Sequence, residues 1–464
     1  MIDESSRLAC TRRARWGTGV LAPVALAVLA CGGGEVPGDV AVAASDTISF
    51  REFSVAPSLA RSAGSPDPGS DEYGALSHFA QAVQIQTGAL EEGRGVAFVG
   101  AVGTAPLADV ASNVVQAVYV AGGTLNGTWG FVFNSVPFGP SFQQMVSFLY
   151  DGGGVDLVNR IYAERGLDLV AFPVVGSPPQ MSGYFKRPVG DPACPDGDLQ
   201  CFEDADGIGL EGLCTESWTL RYLPPAETIV DRACDEIGSR QQLGFVQAVP
   251  GGSELLRAVQ LGDITGLEFA TVLDDIDASR GGLFVNPLAP SGSDGRNAGE
   301  VGLRFAHYPG WHQPFYLGWM IINRTQVWEA LDPEQRSAIE QAAQESVLQS
   351  FATSGSVQCD YLGRILGVND GRPQRTAAGQ EVSGSSADVI LTRWRADDLD
   401  ALRNSTLGFL ESHLQADSPT ADQTDYRTIM TALLAHLGHA SVAAMLDAWD
   451  EAPLLWPEGC AVRS

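Results

Sequence analysis

The chain has 464 residues, 45% of them hydrophobic, and a formal charge of −28 from 28 basic and 56 acidic residues. That length and apolar content suit a globular protein of two or three domains with substantial cores. The acidic balance argues against binding DNA, RNA or anionic lipid through a general basic surface, and it makes a site for an anionic ligand depend on a local cation.

In chain order, the first segment is an export signal. Arg7, Arg12, Arg13 and Arg15 precede an apolar run from Val20 to Ala30. A basic start, a short apolar stretch and small residues before a cleavage point form a signal peptide over 1–30. The run falls short of the roughly 20 residues a bilayer span needs. Cys31 follows Val28-Leu29-Ala30 and is followed by three glycines, an arrangement that resembles the bacterial lipobox, whose cysteine becomes the lipidated first residue. The expectation is lipidation at Cys31, a tether over 31–45, and a periplasmic location with lipid anchoring to a membrane; a soluble secreted protein is the alternative. Without residues 1–30 the chain keeps 24 basic and 54 acidic residues, a charge of −30.

Beyond the tether, residues 46–54 alternate like a first strand. Helical spacing follows over Tyr73–Thr87, a short strand over Gly95–Val102, and a helix or mixed segment over Val110–Val120. Ser141–Leu149 is amphipathic and is broken by Asp151-Gly152-Gly153-Gly154. Val155–Arg165 reads as a helix stopped by Gly166, and Leu167–Val175 as a buried strand with Asp168 and Pro173 as its exceptions. Residues 190–216 hold many acids and most of a cysteine cluster, as a surface insertion would.

Ala226–Ile237 is predicted helical with Gly238 as its stop, Ser253–Gln260 a short helix, Gly266–Val272 a strand and Phe315–Ile322 an apolar strand. Asp332-Pro333-Glu334-Gln335 has the cap, first-turn proline and reciprocal glutamine of a helix start. The last helices are predicted at 387–415 and 425–449. Strands alternating with helices point to α/β layers. Six cysteines (Cys194, Cys201, Cys214, Cys234, Cys359, Cys460) remain after Cys10 and Cys31. In an exported chain they suggest three disulfides among 15 connectivities, the first four as local staples and Cys359–Cys460 as the remaining pair.

The sequence has no Gly-x-x-x-x-Gly-Lys-Ser/Thr, no Gly-x-Ser-x-Gly after a strand and no His-Glu-x-x-His. Its six histidines form no ligand pattern, and His436 with His439 reads as surface. Asp274, Asp275 and Asp277 read as an acidic turn.

Three groups of segments carry a resemblance. One is Val136-Pro137-Phe138-Gly139 through Tyr150-Asp151-Gly152-Gly153-Gly154 to Gln180-Met181-Ser182-Gly183-Tyr184-Phe185. Another is Trp218-Thr219-Leu220-Arg221-Tyr222, then Pro250-Gly251-Gly252-Ser253-Glu254-Leu255 and Gly266-Leu267-Glu268-Phe269. The last is Tyr308-Pro309-Gly310-Trp311-His312-Gln313-Pro314, then Asn323, Trp328 and Leu331-Asp332-Pro333-Glu334. In this order they resemble the extracytoplasmic solute-binding proteins of tripartite ATP-independent periplasmic (TRAP) transporters, in particular the 2-oxo acid binders, over roughly residues 70–440.

The resemblance implies a two-lobed α/β binding fold with an interlobe ligand cleft and a long connecting helix. The lobes are expected at 46–165 with 315–355, and at 166–314 with 356–464, the second including the insertion 190–216. It implies capture of a small organic carboxylate, delivery to TRAP membrane permease subunits, and no catalysis. Arg221 stands where the family places its carboxylate-binding arginine, and a planar guanidinium grips a carboxylate with two charge-assisted bonds. Gln180, Phe269 and Gln313 are implied at the substrate. Glu268, Gln180 and the Phe269 carbonyl are implied around Na⁺ or Ca²⁺ beside it, oxygen donors suiting such ions.

Several features depart from the family pattern: Thr265 where an aspartate is common, Phe269 where tryptophan is frequent, Gln313 where many relatives have glutamate, the cysteine-bearing insertion 190–216, a longer stretch at Arg280–Glu300, and a poor match around Tyr119–Gly127. A sensor-linked binder of the same fold and an exported α/β enzyme are the rival readings. The oligomeric state stays open, a homodimer included.

Overall fold

The computed structural model describes residues 48–52, 96–101, 106–113, 116–121, 125, 129–134, 136–179, 181–186, 209–215, 218–222, 225–238, 243–245, 258–259, 261–268, 303, 305–365, 390–416 and 419–449. The expected signal peptide, Cys31 and the tether, the Tyr73–Thr87 helix, most of the 190–216 insertion, the aspartates at 274–277 and Cys460 lie outside them.

Among the described residues the strands form two sheets. The first has the order β2-β1-β3-β10-β4, from β1 (Ile48–Glu52), β2 (Val96–Ala101), β3 (Ala117–Ala121), β4 (Leu169–Ser177) and β10 (Tyr316–Asn323). β1 runs parallel to β2 and β3, while β10 runs antiparallel to β3 and β4. Every residue of β4 and β10 is buried, so both read as continuous apolar runs rather than alternating ones. Pro173 has no N–H to give, and the β4–β10 register shifts beside it: Gly318 faces Val175 and Trp319 faces Pro173. β4 is an edge strand, where proline and a bulge are tolerated.

The second sheet has the order β11-β9-β5-β8-β6-β7. Its strands are short: β5 (Gly183–Phe185), β6 (Trp218–Arg221), β7 (Leu243–Phe245), β8 (Gly266–Leu267), β9 (Phe305–Tyr308) and β11 (Ile390–Arg393). The chain passes from β4 to β5 through residues 178–182 and returns from β9 to β10 through 309–315. Two sheets so joined make the two-lobed α/β arrangement expected. The first passage corrects the expected boundary between residues 165 and 166, because β4 pairs along its length with β10 in the first sheet.

Helices cover the sheets, and local chemistry sets their ends. α1 spans Pro106–Ala111, so the ambiguous 110–120 segment resolves into the end of a helix and strand β3. α2 (Phe142–Tyr150) starts on a capping box: Gln144 N–H donates to Ser141 Oγ at 3.3 Å, and Ser141 N–H to Gln144 Oε1 at 2.8 Å. α3 (Gly154–Glu164) ends at Gly166, whose φ of 68° suits a residue without Cβ. α4 (Leu210–Thr215) and α5 (Ala226–Glu236) are joined by a Cys214–Cys234 disulfide. This corrects the end of the presumed surface insertion: Leu210, Leu213 and Cys214 are fully buried, so that turn is core.

α6 (Pro333–Ile365) is the long helix, 33 residues and hence about 50 Å. Asp332 and Gln335 cap it reciprocally at 2.8 and 3.1 Å. It lies on the β4 edge, where Ser346 Oγ donates to Val174 O at 2.7 Å and Gly176 N–H to Ser350 Oγ at 2.8 Å, and then leads toward β11. That strand corrects the predicted 387–415 helix, since Ile390–Arg393 pairs in parallel with β9; the helix itself, α7, covers Ala396–Leu414. α8 (Ala421–Leu437) and α9 (Val442–Asp447) follow. α7 packs on α5 of the second lobe, and α8 on α2 and α3 of the first. Arg165 at the end of α3 reaches Asp422 and Asp425 in the first turns of α8, at 2.6 and 2.5 Å.

Candidate ligand site at the junction of the two sheets

Strands β6 and β8 run side by side, with Leu220 opposite Gly266 and Arg221 opposite Leu267. Thr265, the departure from the family pattern, locks this register. Its hydroxyl accepts from Thr219 N–H at 2.8 Å and lies 3.2 Å from Thr219 O, and its own N–H reaches the same carbonyl at 2.9 Å. Gly266 is held tight: a Cβ there would come within 2.5 Å of the Phe185 ring. The backbones of Arg221 and Glu268 are thus brought to the ends of neighbouring strands, Glu268 directly following the partner of Arg221.

The Glu268 side chain is 1% exposed. A buried carboxylate needs a compensating charge or hydrogen bonds. His312 Nε2 lies 3.7 Å from Glu268 Oε2, just beyond hydrogen-bond range. Tyr222, the residue after Arg221, is buried; burial, then the Glu268 charge, push its phenol well above the ordinary tyrosine range. It therefore serves as a donor: Tyr222 OH gives a 2.7 Å bond to Ser182 O.

Ser182 ties the two passages between the sheets together. Its N–H donates to His307 O at 2.7 Å and its hydroxyl to Pro309 O. The return passage is braced in turn, with Trp311 N–H on Pro309 O at 2.9 Å and Gln313 N–H on Gly310 O at 3.2 Å. Trp311, His312 and Gln313 are all buried. The His312 ring packs edge-on against Tyr222 and Trp311, at 6.0 and 5.5 Å between centroids.

Of the residues singled out from sequence, Glu268 and the Arg221 main chain meet here, and Gln313 follows the histidine that faces Glu268. Gln180 and Phe269 lie outside the described residues, each beside a described one. Tyr222, Ser182 and His312 were missed. Histidine spacing carries no sign of the His312 role; its place beside Gln313 is the available signal. Among the described residues no group of three His, Cys, Asp or Glu side chains converges as a metal site. Glu268 supplies one carboxylate to a cation here, and amide and main-chain oxygens are donors of the same hard type.

No family model matches the chain. A monocarboxylate 2-oxoacid-binding periplasmic protein of Nostoc sp. is 25% identical over 232 residues, about half of this chain and half of that relative's length. Among solved structures, a TRAP periplasmic solute-binding protein from Colwellia psychrerythraea, with bound calcium and pyruvate, superposes with a TM-score of 0.56. Its identity is 15%, and the match covers 84% of this chain and 93% of that one. The fold is that of the TRAP periplasmic solute-binding proteins. Another such protein, from Pseudoalteromonas atlantica with bound sodium and pyruvate, gives a TM-score of 0.56 at 14% identity, covering 90% of this chain and 98% of that one. These superpositions establish the fold alone, and the residues of the site are argued from their own chemistry. All three proteins are named as binding proteins and none as an enzyme, in line with the expectation of a binder.

Proposed function

We propose that this chain is the solute-binding component of a TRAP transporter. It captures a small organic carboxylate of the 2-oxo acid type between its lobes and delivers it to the membrane permease. The observation that carries this reading is the burial of Glu268 beside the Arg221 strand position, at the junction of the two sheets.

In this reading Arg221 grips the ligand carboxylate, a role a guanidinium performs without losing its charge on desolvation. Gln180, Phe269 and Gln313 complete the ligand wall. Na⁺ or Ca²⁺ bound by Glu268, Gln180 and the Phe269 carbonyl offsets the buried carboxylate, as the calcium- and sodium-bound neighbours suggest. Gln313 carries one negative charge fewer than the glutamate common in relatives, which favours the monovalent ion. The protein works in the periplasm, anchored by lipid at Cys31, where a tether raises the effective concentration of receptor near its permease.

The test is a thermal-shift and calorimetry series with pyruvate and other mono- and dicarboxylates, with and without Na⁺ and Ca²⁺. At about 100 times its dissociation constant a true ligand adds about 2.7 kcal/mol of stability. Arg221→Ala is expected to abolish that shift. An unshifted wild type, or an Arg221→Ala variant that shifts equally, would refute the reading. Membrane fractionation of Cys31→Ser tests the anchor separately: the variant should become soluble.

A further inference from the structure

The turn Val136-Pro137-Phe138-Gly139 breaks its own local rule. Gly139 N–H closes it on Val136 O at 2.8 Å, with Pro137 at the second position, where proline is favoured. The third position, Phe138, has φ of +52°. Glycine or asparagine belongs in that left-handed conformation, and a bulky aromatic there is a genuine outlier. Such a residue persists only where its surroundings over-determine it, and these residues gather at functional sites.

The surroundings are specific. Phe138 is fully buried, and its N–H donates to Trp311 O at 2.9 Å. Its ring stacks on Trp311 at 5.4 Å and 17°, and meets Trp449 edge-on at 4.9 Å. The Arg403 guanidinium lies 5.5 Å from the Phe138 ring centre and 5.8 Å from that of Trp449. One side chain therefore joins the lead-in to α2, the 309–313 passage, α7 and the segment after α9. The clamped residue, Trp311, is followed in the chain by His312, whose ring packs edge-on against it and lies 3.7 Å from Glu268.

We propose that Phe138 is a positioning residue for the ligand site. Its strained turn and stacked ring hold the 309–313 passage so that His312 stays against Glu268 and Gln313 stays in the site wall. The inference rests on the carboxylate-binding reading and adds a residue outside the set proposed to hold the ligand. It explains why the turn keeps phenylalanine where glycine would relieve the backbone: glycine would leave Trp311 without its stacking partner.

The experiment compares Phe138→Leu, Phe138→Tyr and Phe172→Leu in the full chain, reading the dissociation constant for pyruvate well below each melting temperature. Phe172 is buried in the separate cluster under α6 and controls for lost stability. Phe138→Leu should weaken binding about tenfold, within the range for residues coupled to a site through packing. Phe138→Tyr and Phe172→Leu should stay within about twofold. Should Phe138→Leu not fold, Arg403→Gln leaves the turn intact and should weaken binding about threefold.

A Phe138→Leu value within about twofold of wild type, or an equal loss in Phe172→Leu, overturns the proposal. Nitrogen-15 spectra of the histidine rings, with His312 assigned from His312→Gln, give a readout that needs no ligand. The His312 signal should move in Phe138→Leu and not in Phe172→Leu. If wild type binds no carboxylate, the functional reading fails, and an unmoved His312 signal then overturns the bracing role as well.

Discussion

The two sheets of this protein are built on opposite principles. The first is long-stranded and dry: β4 and β10 bury all their residues, and α6 closes the exposed edge with serine hydroxyls. The second has strands of two to four residues. Among the described residues the buried acidic and imidazole side chains are Glu268, His307 and His312, and all three lie in the second sheet or the passages beside it. Long apolar strands define a register strongly, because slipping by one residue misplaces every side chain. Short strands leave ends, and polar groups collect at those ends. The first sheet is thus an apolar frame, and the described buried ionisable groups gather at the second.

The largest test of this contrast is Trp319→Ala in the first sheet. Trp319 is fully buried, packs on Phe133 at 5.6 Å and donates to Phe133 O. Its loss should cost about 3–5 kcal/mol in chemical denaturation, while the surviving folded protein keeps its pyruvate affinity. A large affinity change would break the division between frame and site.

Next is the Cys214–Cys234 disulfide, which closes a 20-residue separation in the second lobe. Replacing both cysteines with alanine should lower stability by about 3 kcal/mol, read from melting with and without reductant. No change would mean that α4 and α5 hold by packing alone.

The third test concerns His307, fully buried between Phe185, stacked at 4.2 Å, and Trp394. Neither ring nitrogen has a hydrogen-bond partner among the described residues, and burial holds its pKa well below the ordinary histidine value of 6.5. The folded ring stays neutral while the unfolded ring takes a proton as pH falls below 6.5. The unfolded state therefore binds more protons there, and stability falls by up to about 1.4 kcal/mol per pH unit from this group. Comparing urea midpoints of wild type and His307→Phe from pH 7 to pH 5 should show a shallower slope in the variant. Parallel slopes would remove His307 from the contrast.

The smallest effect has the opposite sign. Gly355 sits inside α6, and a Cβ there would meet nothing within 4 Å. Gly355→Ala should stabilise the protein by about 0.5–1 kcal/mol, measured by thermal melting. A loss of stability would mean that the connecting helix needs a bend at this point.

Much of the frame was legible in the sequence. The Asp332 cap, the glycine stops at Gly166 and Gly238, and the apolar runs at β4 and β10 are local signals with local causes. The strand at 390–393 was not legible, because four residues before a helix carry no period of their own and only β9 makes them a strand. Arg221 and Glu268 were found through the resemblance; spacing alone would have left both as ordinary charged residues. Tyr222, Ser182 and His312 escaped, since their roles come from partners 40 to 127 residues away.

By itself the sequence determined the α/β alternation, the helix ends and the buried strands, because each follows from residues within a turn or two of one another. Tertiary structure alone decided which sheet each strand joins, that the chain changes sheets after Ser177, and that a histidine faces Glu268. Those outcomes depend on contacts between segments far apart in the chain, where no local propensity points to the partner.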